Sequence, residues 1–449
     1  MKIIGLILCG VAVLLPWVWI TGLPSSEGGA LISLGLGSSA LVMMSLCHLL
    51  ATRWRVLETI FGGLDRIYVL HKWLGIGALI GLVLHDAIDA ETNGRLSNSA
   101  FSELGETLGS IGYHGVLILV LLSVATVVPY HLWRLTHRFI AVFFTFAVLH
   151  TLMVAKPFGL MDPLGLYLAM VGALGVACYI VTLVPAGMLG RERRYRVTGR
   201  RTTGGATVVT LRPERRGFRH HPGQFAFIRA PMAGAERHPF TISSAPRADG
   251  GLEFTIRPVG DGTNRLVAAL LEGSEVRVSG PHGRFSPRRT KDTQIWIAAG
   301  VGITPFVAMA EALGPVGPPV ELLDCVRDRT SAPHLDHLEA LAASKPRLRV
   351  TVFDASRGQR LTPPAALGHA SGQASKAHVF FCGPVAMREA FRRSLLSLGV
   401  RRSRFHYEAF EMRSGLGISK YALLAGRMLR AGSALWKSSR WMGRSLMAR

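Results

Sequence analysis

Six apolar stretches of about 20 residues each occupy the first 190 residues, and they limit what this chain can fold into. A helix needs about 20 mainly apolar residues to cross the ~30 Å hydrocarbon core of a bilayer. We therefore predict a membrane protein that begins with a six-helix transmembrane bundle. The predicted spans are residues 3–22, 30–50, 68–90, 112–130, 137–156 and 164–189.

The charge is divided unevenly along the chain. Residues 1–190 hold nine basic and nine acidic residues, so the whole net charge of +23 belongs to residues 191–449. No nucleic-acid-binding motif accompanies this basic half, so we exclude nucleic acid and expect attraction to an anionic membrane surface. Hydrophobic residues make up 49% and charged residues 18% of the chain, which excludes disordered and disulfide-scaffold classes.

The loops predict the orientation of the helices. Arginines cluster in the loops after the second, fourth and sixth spans, whereas the opposite loops are mainly acidic. The positive-inside rule then places both termini and the basic half in the cytoplasm. The first span resembles a signal peptide, but no clean cleavage site follows it, so we expect a retained helix. The five cysteines form no CxxC pair. From the spans, we predict an integral protein of a bacterial inner or plasma membrane.

Four histidines lie at matched positions on two parallel spans. His71 and His85 are about 21 Å apart along the third span, and His137 and His150 are about 20 Å apart along the fifth. Imidazole is a strong axial ligand for haem iron, so one ligand from each helix at each level would hold two b-type haems across the membrane. We predict these four residues as the metal ligands.

The rotation of the fifth span is less favourable for this arrangement. His71 and His85 share a face of an ideal helix, whereas His137 and His150 are about 140° apart. We therefore predict a wide turn or bulge within the fifth span. Any single histidine here also has a simpler interpretation as a polar group between helices. We assign that interpretation to His48, His114 and His131.

The pattern changes after residue 190. Short alternating strands separated by turn residues predict an antiparallel β-barrel over residues 191–290. From residue 291 the chain alternates between strands and helices, which predicts a parallel α/β nucleotide-binding domain up to residue 412. Its first turn, from Gly300 to Pro305, follows an apolar strand and opens a helix, where free N–H groups meet phosphate charge.

Short motifs in this half resemble those of the NADPH oxidase and ferric reductase family. HPFT at 238–241 with two following serines, RPVGDGT at 257–263 and GPHGRF at 280–285 resemble its flavin motifs. AAGVGITP at 298–305 and FFCGP at 380–384 are similar to its nicotinamide-nucleotide motifs, in the same order. The unequal histidine spacings also match the two-haem pattern of that family. The resemblance covers roughly residues 55–412 and implies an FAD-binding barrel.

The resemblance implies a role for each matching residue. Phe240 would pack along the flavin, Thr241 would bond the isoalloxazine edge, and Arg257 would face the FAD pyrophosphate. Cys382 would lie near the nicotinamide, and Phe410 would lie at the flavin face that the nicotinamide must occupy; we predict these two as catalytic. Each residue taken alone also has an ordinary packing interpretation. The other predicted cofactor-binding residues are His238, Pro239, Ser243, Ser244, Gly260, Thr263, Gly300, Gly302, Thr304, Pro305, Arg327, Gly383 and Pro384.

Two further features bear on specificity and membrane contact. Arg327 follows the strand VELLDCV, where it would bind a 2′-phosphate and favour NADPH. Residues 413–449 contain eight basic residues and no acid. We predict either a basic amphipathic helix on the cytoplasmic leaflet or a disordered basic tail.

These elements predict an enzyme that moves electrons across a membrane. A nicotinamide gives two electrons as hydride and haem iron accepts one at a time, so FAD is needed between them. The expected acceptor is a small molecule outside, oxygen giving superoxide, with a ferric chelate or a quinone as alternatives. Two other classes stay open: a membrane-anchored flavin reductase with a cytosolic acceptor, and a proton pathway regulated by the soluble half. The oligomeric state is left open.

Overall fold

The computed structural model describes residues 2–23, 28–88, 100–124, 128, 130–184, 187–234, 236–287, 290–370 and 374–408. Contacts group the chain into two units. One comprises Met1–Phe61 and Arg66–Leu183, and the other comprises Gly62–Asp65 and Val184–Phe410. The finer division at residues 190, 290 and 412 stays a prediction, and the basic tail from 413 lies outside the described residues.

The first unit consists of helices. Among the described residues, six helices are long and apolar enough to cross a membrane, which confirms the six-helix prediction. The fourth begins at Ser102 rather than at residue 112, and a short helix that the hydropathy pattern did not predict follows the second. The helices are α1 Ile3–Ile20, α2 Gly28–Ala51, the short α3 Arg55–Phe61, α4 Leu64–Ala87, α5 Ser102–Val124, α6 Tyr130–Met153 and α7 Pro163–Leu183.

The helices of this unit pack around an apolar core and carry further large apolar side chains on their outer surface. Helix α5 lies along α6, and α2 lies along α7. The core includes the completely buried side chains of Val42 and Phe144, while Ile80 and Ile118 are among the exposed large apolar residues. An apolar exterior around a packed interior suits a helix bundle whose outer solvent is lipid.

The second unit begins with an antiparallel sheet of six strands in the order β4-β3-β6-β1-β2-β5. Alternating apolar residues, such as Tyr195 and Val197 on β1, point into one buried core. One bridge, between Ile242 and Phe254, links the two edges, and closure into a barrel stays a prediction. The elements are β1 Glu192–Thr203, β2 Ala206–Pro213, β3 Phe225–Arg229, β4 His238–Thr241, β5 Leu252–Ile256, helix α8 Asp261–Ala269 and β6 Glu275–His282.

A parallel sheet of five strands follows in the order β11-β10-β7-β8-β9. Its central strands are apolar on both faces because helices cover both sides, as the βαβ pattern predicts. The carboxyl ends of the strands meet at one edge, where the turn after β7 begins. The elements are β7 Gln294–Ala299, α9 Thr304–Glu311, β8 Val320–Val326, α10 Leu335–Ser344, β9 Leu348–Asp354, α11 Pro363–Gly368, β10 His378–Cys382, α12 Val385–Ser397 and β11 Phe405–Tyr407.

Candidate functional site

The structure brings together two of the four predicted haem ligands. The ring centres of His71 on α4 and His137 on α6 lie 6.0 Å apart. Two imidazoles that bind one metal ion from opposite sides through their Nε2 atoms hold their ring centres about 6 Å apart, because each metal–nitrogen bond is about 2 Å long. At this spacing the two imidazoles could hold one iron between them.

A carbonyl oxygen or hydroxyl on a neighbouring helix holds the Nδ1 atom of each of the four histidines. On α4, His71 Nδ1 lies 3.1 Å from Cys47 O, and His85 Nδ1 lies 2.8 Å from Ser33 O, both on α2. His150 Nδ1 on α6 lies 2.9 Å from Gly105 O on α5. Because a carbonyl oxygen only accepts, Nδ1 carries the proton and the lone pair lies on Nε2.

His137 reaches the same state through a hydroxyl. Its Nδ1 lies 3.0 Å from Ser123 Oγ on α5, and that hydroxyl donates its own proton to Leu119 O at 2.7 Å. The oxygen is therefore left to accept from Nδ1. Metal-binding histidines commonly donate their second N–H in this way, which fixes the ring and presents Nε2 to the metal. The donor chemistry of all four histidines thus fits haem.

Glycines make room for the rings of the second pair. A Cβ at Gly37 of α2 would lie 3.0 Å from His85 Nδ1, and one at Gly109 of α5 would overlap the ring of His150. These glycines let the imidazoles lie directly on the neighbouring helix backbone, which further fixes their orientation.

The predicted wide turn in the fifth span is wrong. Helix α6 is a continuous α-helix from Tyr130 to Met153, yet both His137 and His150 hydrogen-bond to α5. Packed helices cross at an angle, so the line of contact winds around each helix. Two residues that are about 140° apart on an ideal helix can both lie along such a line.

The other histidines of the membrane half differ from these four. His114 Nδ1 lies 2.8 Å from Ser110 O in its own helix, a local bond that needs no partner helix. The ring of His48 packs against Phe144 and Tyr179, with ring centres 4.7 and 5.8 Å away. The side chain of His131 lies outside the described residues.

The HPFT motif forms edge strand β4 of the antiparallel sheet. Phe240 is half-buried against the core of this sheet, and Thr241 is buried opposite Phe225 of β3. A Cβ at Gly262 would lie 2.9 Å from the ring of His238. The motif therefore adjoins the first turn of α8, as expected for two parts of one flavin site. Pro239 pairs with Phe227 in the same ladder.

The second flavin motif lies at the start of α8. The Thr263 hydroxyl accepts the N–H groups of Val259 and Gly260 at 3.0 and 3.1 Å. That hydroxyl organises the turn, and the following N–H groups of the first helical turn have no intrahelical acceptor and suit an anion. Arg257 is exposed, and its Nη1 lies 3.9 Å from the Cβ position of Gly300. The flavin motif and the nucleotide turn therefore adjoin.

The nucleotide turn joins β7 to α9. Gly300 has a φ of +57°, a left-handed conformation that glycine adopts without strain. Gly302 packs against the backbone of Cys382 and Gly383 at the end of β10. Thr304 donates its hydroxyl proton to Val301 O at 3.0 Å. Pro305 occupies the first turn of α9, and Pro384 immediately precedes α12.

Sequence reasoning missed one residue next to the predicted nicotinamide site. Glu408 is buried after β11, and its Oε1 lies 2.8 Å from the Cβ position of Gly283. Burial raises the pKa of the Cys382 thiol, and the charge of Glu408 raises it further. Cys382 is therefore a neutral thiol. The signal in the sequence was this acidic residue, which lies between a strand and an aromatic residue in HYEAF. The aromatic residue, Phe410, lies outside the described residues.

Ser243 and Ser244 are completely buried. Ser243 Oγ accepts from the Thr255 hydroxyl at 3.0 Å, and Ser244 Oγ accepts from the N–H of Glu253 at 3.2 Å. Both hydroxyl oxygens therefore accept hydrogen bonds within the protein, and their predicted role at a flavin stays a prediction. Arg327 is exposed directly after β8.

Three family models match consecutive parts of the chain. Residues 36–148 match the ferric reductase like transmembrane component, residues 203–310 an FAD-binding domain, and residues 296–393 an oxidoreductase NAD-binding domain. The flavin and nucleotide motifs lie inside the second and third matches, and the four histidines lie inside the first or within two residues of its end.

The chain is also similar to bacterial reductase subunits. It is 32% identical over 212 residues to the stachydrine N-demethylase reductase subunit Stc4 of Rhizobium meliloti. This match covers 44% of this chain and 60% of that protein. It is 32% identical over 204 residues to the ferredoxin reductase component of 3-ketosteroid-9-alpha-monooxygenase of Mycobacterium tuberculosis, covering 44% and 57%. The chain thus spans somewhat over half the length of these relatives. The structure of the Amycolatopsis cytochrome P450 reductase GcoB matches with a TM-score of 0.44 and 23% identity, over 50% of this chain and 71% of that one.

The two domain matches of the second unit define its class: it combines an FAD-binding domain with an oxidoreductase NAD-binding domain. Joined to a ferric reductase-like transmembrane component, it has the architecture of the ferric reductase and NADPH oxidase type. The resemblance seen in the sequence is confirmed, and the chain is an integral membrane protein by its helices and this match.

Proposed function

We propose that this protein carries electrons from cytosolic NAD(P)H, through FAD and two b-type haems, to an acceptor on the other side of the membrane. The leading acceptor is O2, with the balance NAD(P)H + 2 O2 giving NAD(P)⁺, H⁺ and two superoxide ions. Bound FAD and haem supply the conversion of a two-electron hydride donor into one-electron carriers. The chain itself binds, orients and insulates them.

The observation that carries this proposal is that all four histidines have the same tautomer, with the proton on Nδ1. Each has a protonated Nδ1 held by a neighbouring helix, and one pair has ring centres 6.0 Å apart. His71 and His137 would hold the inner haem, and His85 and His150 the outer one. Histidines that only join helices do not need a common tautomer that leaves Nε2 unprotonated.

The second unit supplies the donor side. The amides of the first turn of α8 and Arg257 would face the FAD pyrophosphate, and Gly300, Gly302 and the start of α9 would face the nucleotide phosphates. Cys382, as a neutral thiol beside Glu408, would pack near the nicotinamide without attacking it. The positive-inside pattern supports a cytoplasmic position for this unit in a bacterial inner membrane.

A second function is favoured by the relatives. One is the reductase subunit of an N-demethylase, and the other is the ferredoxin reductase component of a monooxygenase. By analogy, this chain would be a flavin reductase anchored by its helices and serving a cytosolic acceptor. A ferric chelate is the alternative acceptor outside the membrane.

Spectroscopy of the purified full chain separates these functions. Transmembrane transfer predicts a Soret band, two haems per polypeptide, and loss of one haem in His85→Ala or His150→Ala but none in the matched variant His114→Ala. Protein with flavin but without haem would contradict the proposal and support the anchored reductase. Haem retained in His85→Ala, with altered proton conductance, would support the proton pathway instead. Superoxide formation in air, compared with anaerobic ferric-chelate reduction, then decides the acceptor.

A further inference from the structure

Two hydrogen-bonded links join the antiparallel sheet, which carries the predicted flavin motifs, to helices α9 and α10 of the parallel α/β part. Both links end on residues 243–245, just after β4. In the first link, the N–H of Ala245 donates to Glu311 Oε2 at 2.7 Å. Glu311 is the last residue of α9, the helix that starts at the nucleotide turn. Helix α9, whose first turn would face the nucleotide, is therefore held at its other end by the stretch that follows β4.

The second link runs through buried side chains. His334, at the start of α10, has its Nε2 2.7 Å from Thr255 Oγ1, and Thr255 Oγ1 lies 3.0 Å from Ser243 Oγ. All three side chains are at most 3% exposed. Burial, with smaller effects of the Arg201 and His337 charges, lowers the pKa of His334 to about 4. The imidazole is therefore neutral at physiological pH and takes part as a hydrogen-bonding group.

The backbone at His334 is strained in a way that tertiary contacts must maintain. Its φ is +62°, in the left-handed region that disfavours a residue with a Cβ. Its N–H donates to Thr203 Oγ1 at the end of β1, at 3.2 Å. A strained residue held by bonds from two strands of the other sheet indicates a required geometry.

We infer that Glu311 and His334, with Ala245, Thr255 and Ser243, form an interdomain clamp that sets the distance and angle between nicotinamide and flavin. This inference rests on the proposed function of the second unit. Hydride transfer requires reacting atoms about 3–3.5 Å apart, and a displacement of about 1 Å costs roughly a hundredfold in rate. Glu311 and His334 are thus positioning residues, and the clamp assigns Ser243 a mechanical role.

The test uses matched variants of the full chain. Glu311→Ala removes an acceptor, whereas Glu311→Gln keeps a carbonyl oxygen. Thr255→Val removes a hydroxyl at constant shape, whereas Thr255→Ser keeps it. The readout is the anaerobic rate of flavin bleaching by NADPH in stopped flow, with the nucleotide Kd, the charge-transfer band and the FAD content measured in parallel. Asp336→Asn, on the exposed side of α10, is the control.

We expect Glu311→Ala and Thr255→Val to lower the bleaching rate at saturating NADPH roughly ten- to a hundredfold. FAD content and Kd should stay within about threefold, the charge-transfer band should weaken, and the Gln and Ser variants should recover most of the rate. Unchanged rates in both disruptive variants would overturn the clamp. A loss explained wholly by a raised Kd, or by FAD release that the Gln and Ser variants share, would also overturn it. If wild-type flavin is bleached by neither NADPH nor NADH, the proposed function fails instead.

Discussion

Gly302 packs its Cα against the carbonyl oxygen of Cys382, so closely that a Cβ at position 302 would overlap that oxygen. The contact joins the turn after β7 to the end of β10, two parts of the chain about 80 residues apart. Both segments carry motifs predicted to bind the nicotinamide nucleotide. Their backbones can only meet this closely because position 302 lacks a side chain.

Gly302→Ala should therefore disturb the nucleotide site. The neighbouring atom is backbone, which cannot rotate away, so we expect a cost of about 1–3 kcal/mol from overpacking and a weaker NAD(P)H affinity. Titration of the full chain with NADPH measures the Kd. Gly314→Ala is the matched control, since a Cβ there meets nothing within 4 Å. Equal Kd values for the two variants would contradict the prediction.

Ser123→Ala should affect one haem and spare the other. It removes the acceptor of the His137 Nδ1 proton, and loss of such a partner lowers metal affinity about 10–100-fold. We expect reduced haem content or a shifted midpoint potential in one of two components of a redox titration. Thr107→Ala, which removes a hydroxyl bonded within α5, serves as the comparison. An identical titration of Ser123→Ala and wild type would argue against ligation by His137.

Asp324→Asn should remove a pH dependence of stability. Asp324 is completely buried on β8, and neither carboxylate oxygen has a hydrogen-bond partner among the described residues. Burial raises its pKa to about 7, against about 4 in the unfolded chain. Between these values the unfolded state releases the proton that the folded state keeps, so the free energy of unfolding falls as pH rises, by about 4 kcal/mol in total.

The temperature of flavin release from the full chain at pH 5 and pH 8 measures this effect. The release temperature of wild type should be several degrees lower at pH 8 than at pH 5, since about 1 kcal/mol corresponds to 2–4 °C for a unit of roughly 150–250 residues, such as the second unit. The Asn variant should lose much less, while Asp336→Asn should behave like wild type. A wild-type release temperature that does not change with pH would show that Asp324 is ionised without penalty.

The two cysteines of the second unit should resist alkylation in the folded protein. Burial raises the pKa of Cys325 to about 12, with Asp324 adding to the effect, and raises that of Cys382. The reactive species is the thiolate, so iodoacetamide at pH 8 should label neither site until the chain is denatured. Peptide mass spectrometry locates the labels. Rapid labelling of Cys382 in the folded chain would assign it a nucleophilic thiolate.

Arg327→Ala should reduce the preference for NADPH over NADH. The side chain is exposed after β8, where a guanidinium would pair with a 2′-phosphate. We expect kcat/KM for NADPH to fall about tenfold and that for NADH to change little. Exposed Arg349, whose partner Glu321 lies at the opposite end of β8, supplies the control Arg349→Ala. An equal loss with both nucleotides would assign Arg327 to another role.

Much of the architecture follows from local patterns. Apolar length predicted six spanning helices, and alternation followed by a βαβ pattern predicted an antiparallel sheet before a parallel one. These features depend on whether a segment faces lipid or water and on the spacing of its apolar residues. Both can be read from a short stretch of sequence. The boundaries were less predictable, since α5 begins at Ser102 in a stretch that contains Glu103 and Glu106.

Contacts between distant residues were the part that local patterns could not predict. The rotation argument predicted a bulge in α6 that is not there, because it treated the helix alone and ignored its crossing with α5. Glu408 was passed over because its burial and its place beside Cys382 and Gly283 arise only when β10, β11 and β6 assemble.

The order of residues alone determined that this chain would enter a membrane and that flavin and nucleotide motifs would follow in sequence; two levels of histidines stay a prediction from it. Tertiary structure decided which nitrogen of each histidine keeps its proton, and it linked Glu311 to Ala245 and His334 to Thr255 across the two sheets. Hydropathy and period are properties of neighbouring residues. A proton's position and a clamp between sheets depend on atoms that only folding brings within 3 Å or so of one another.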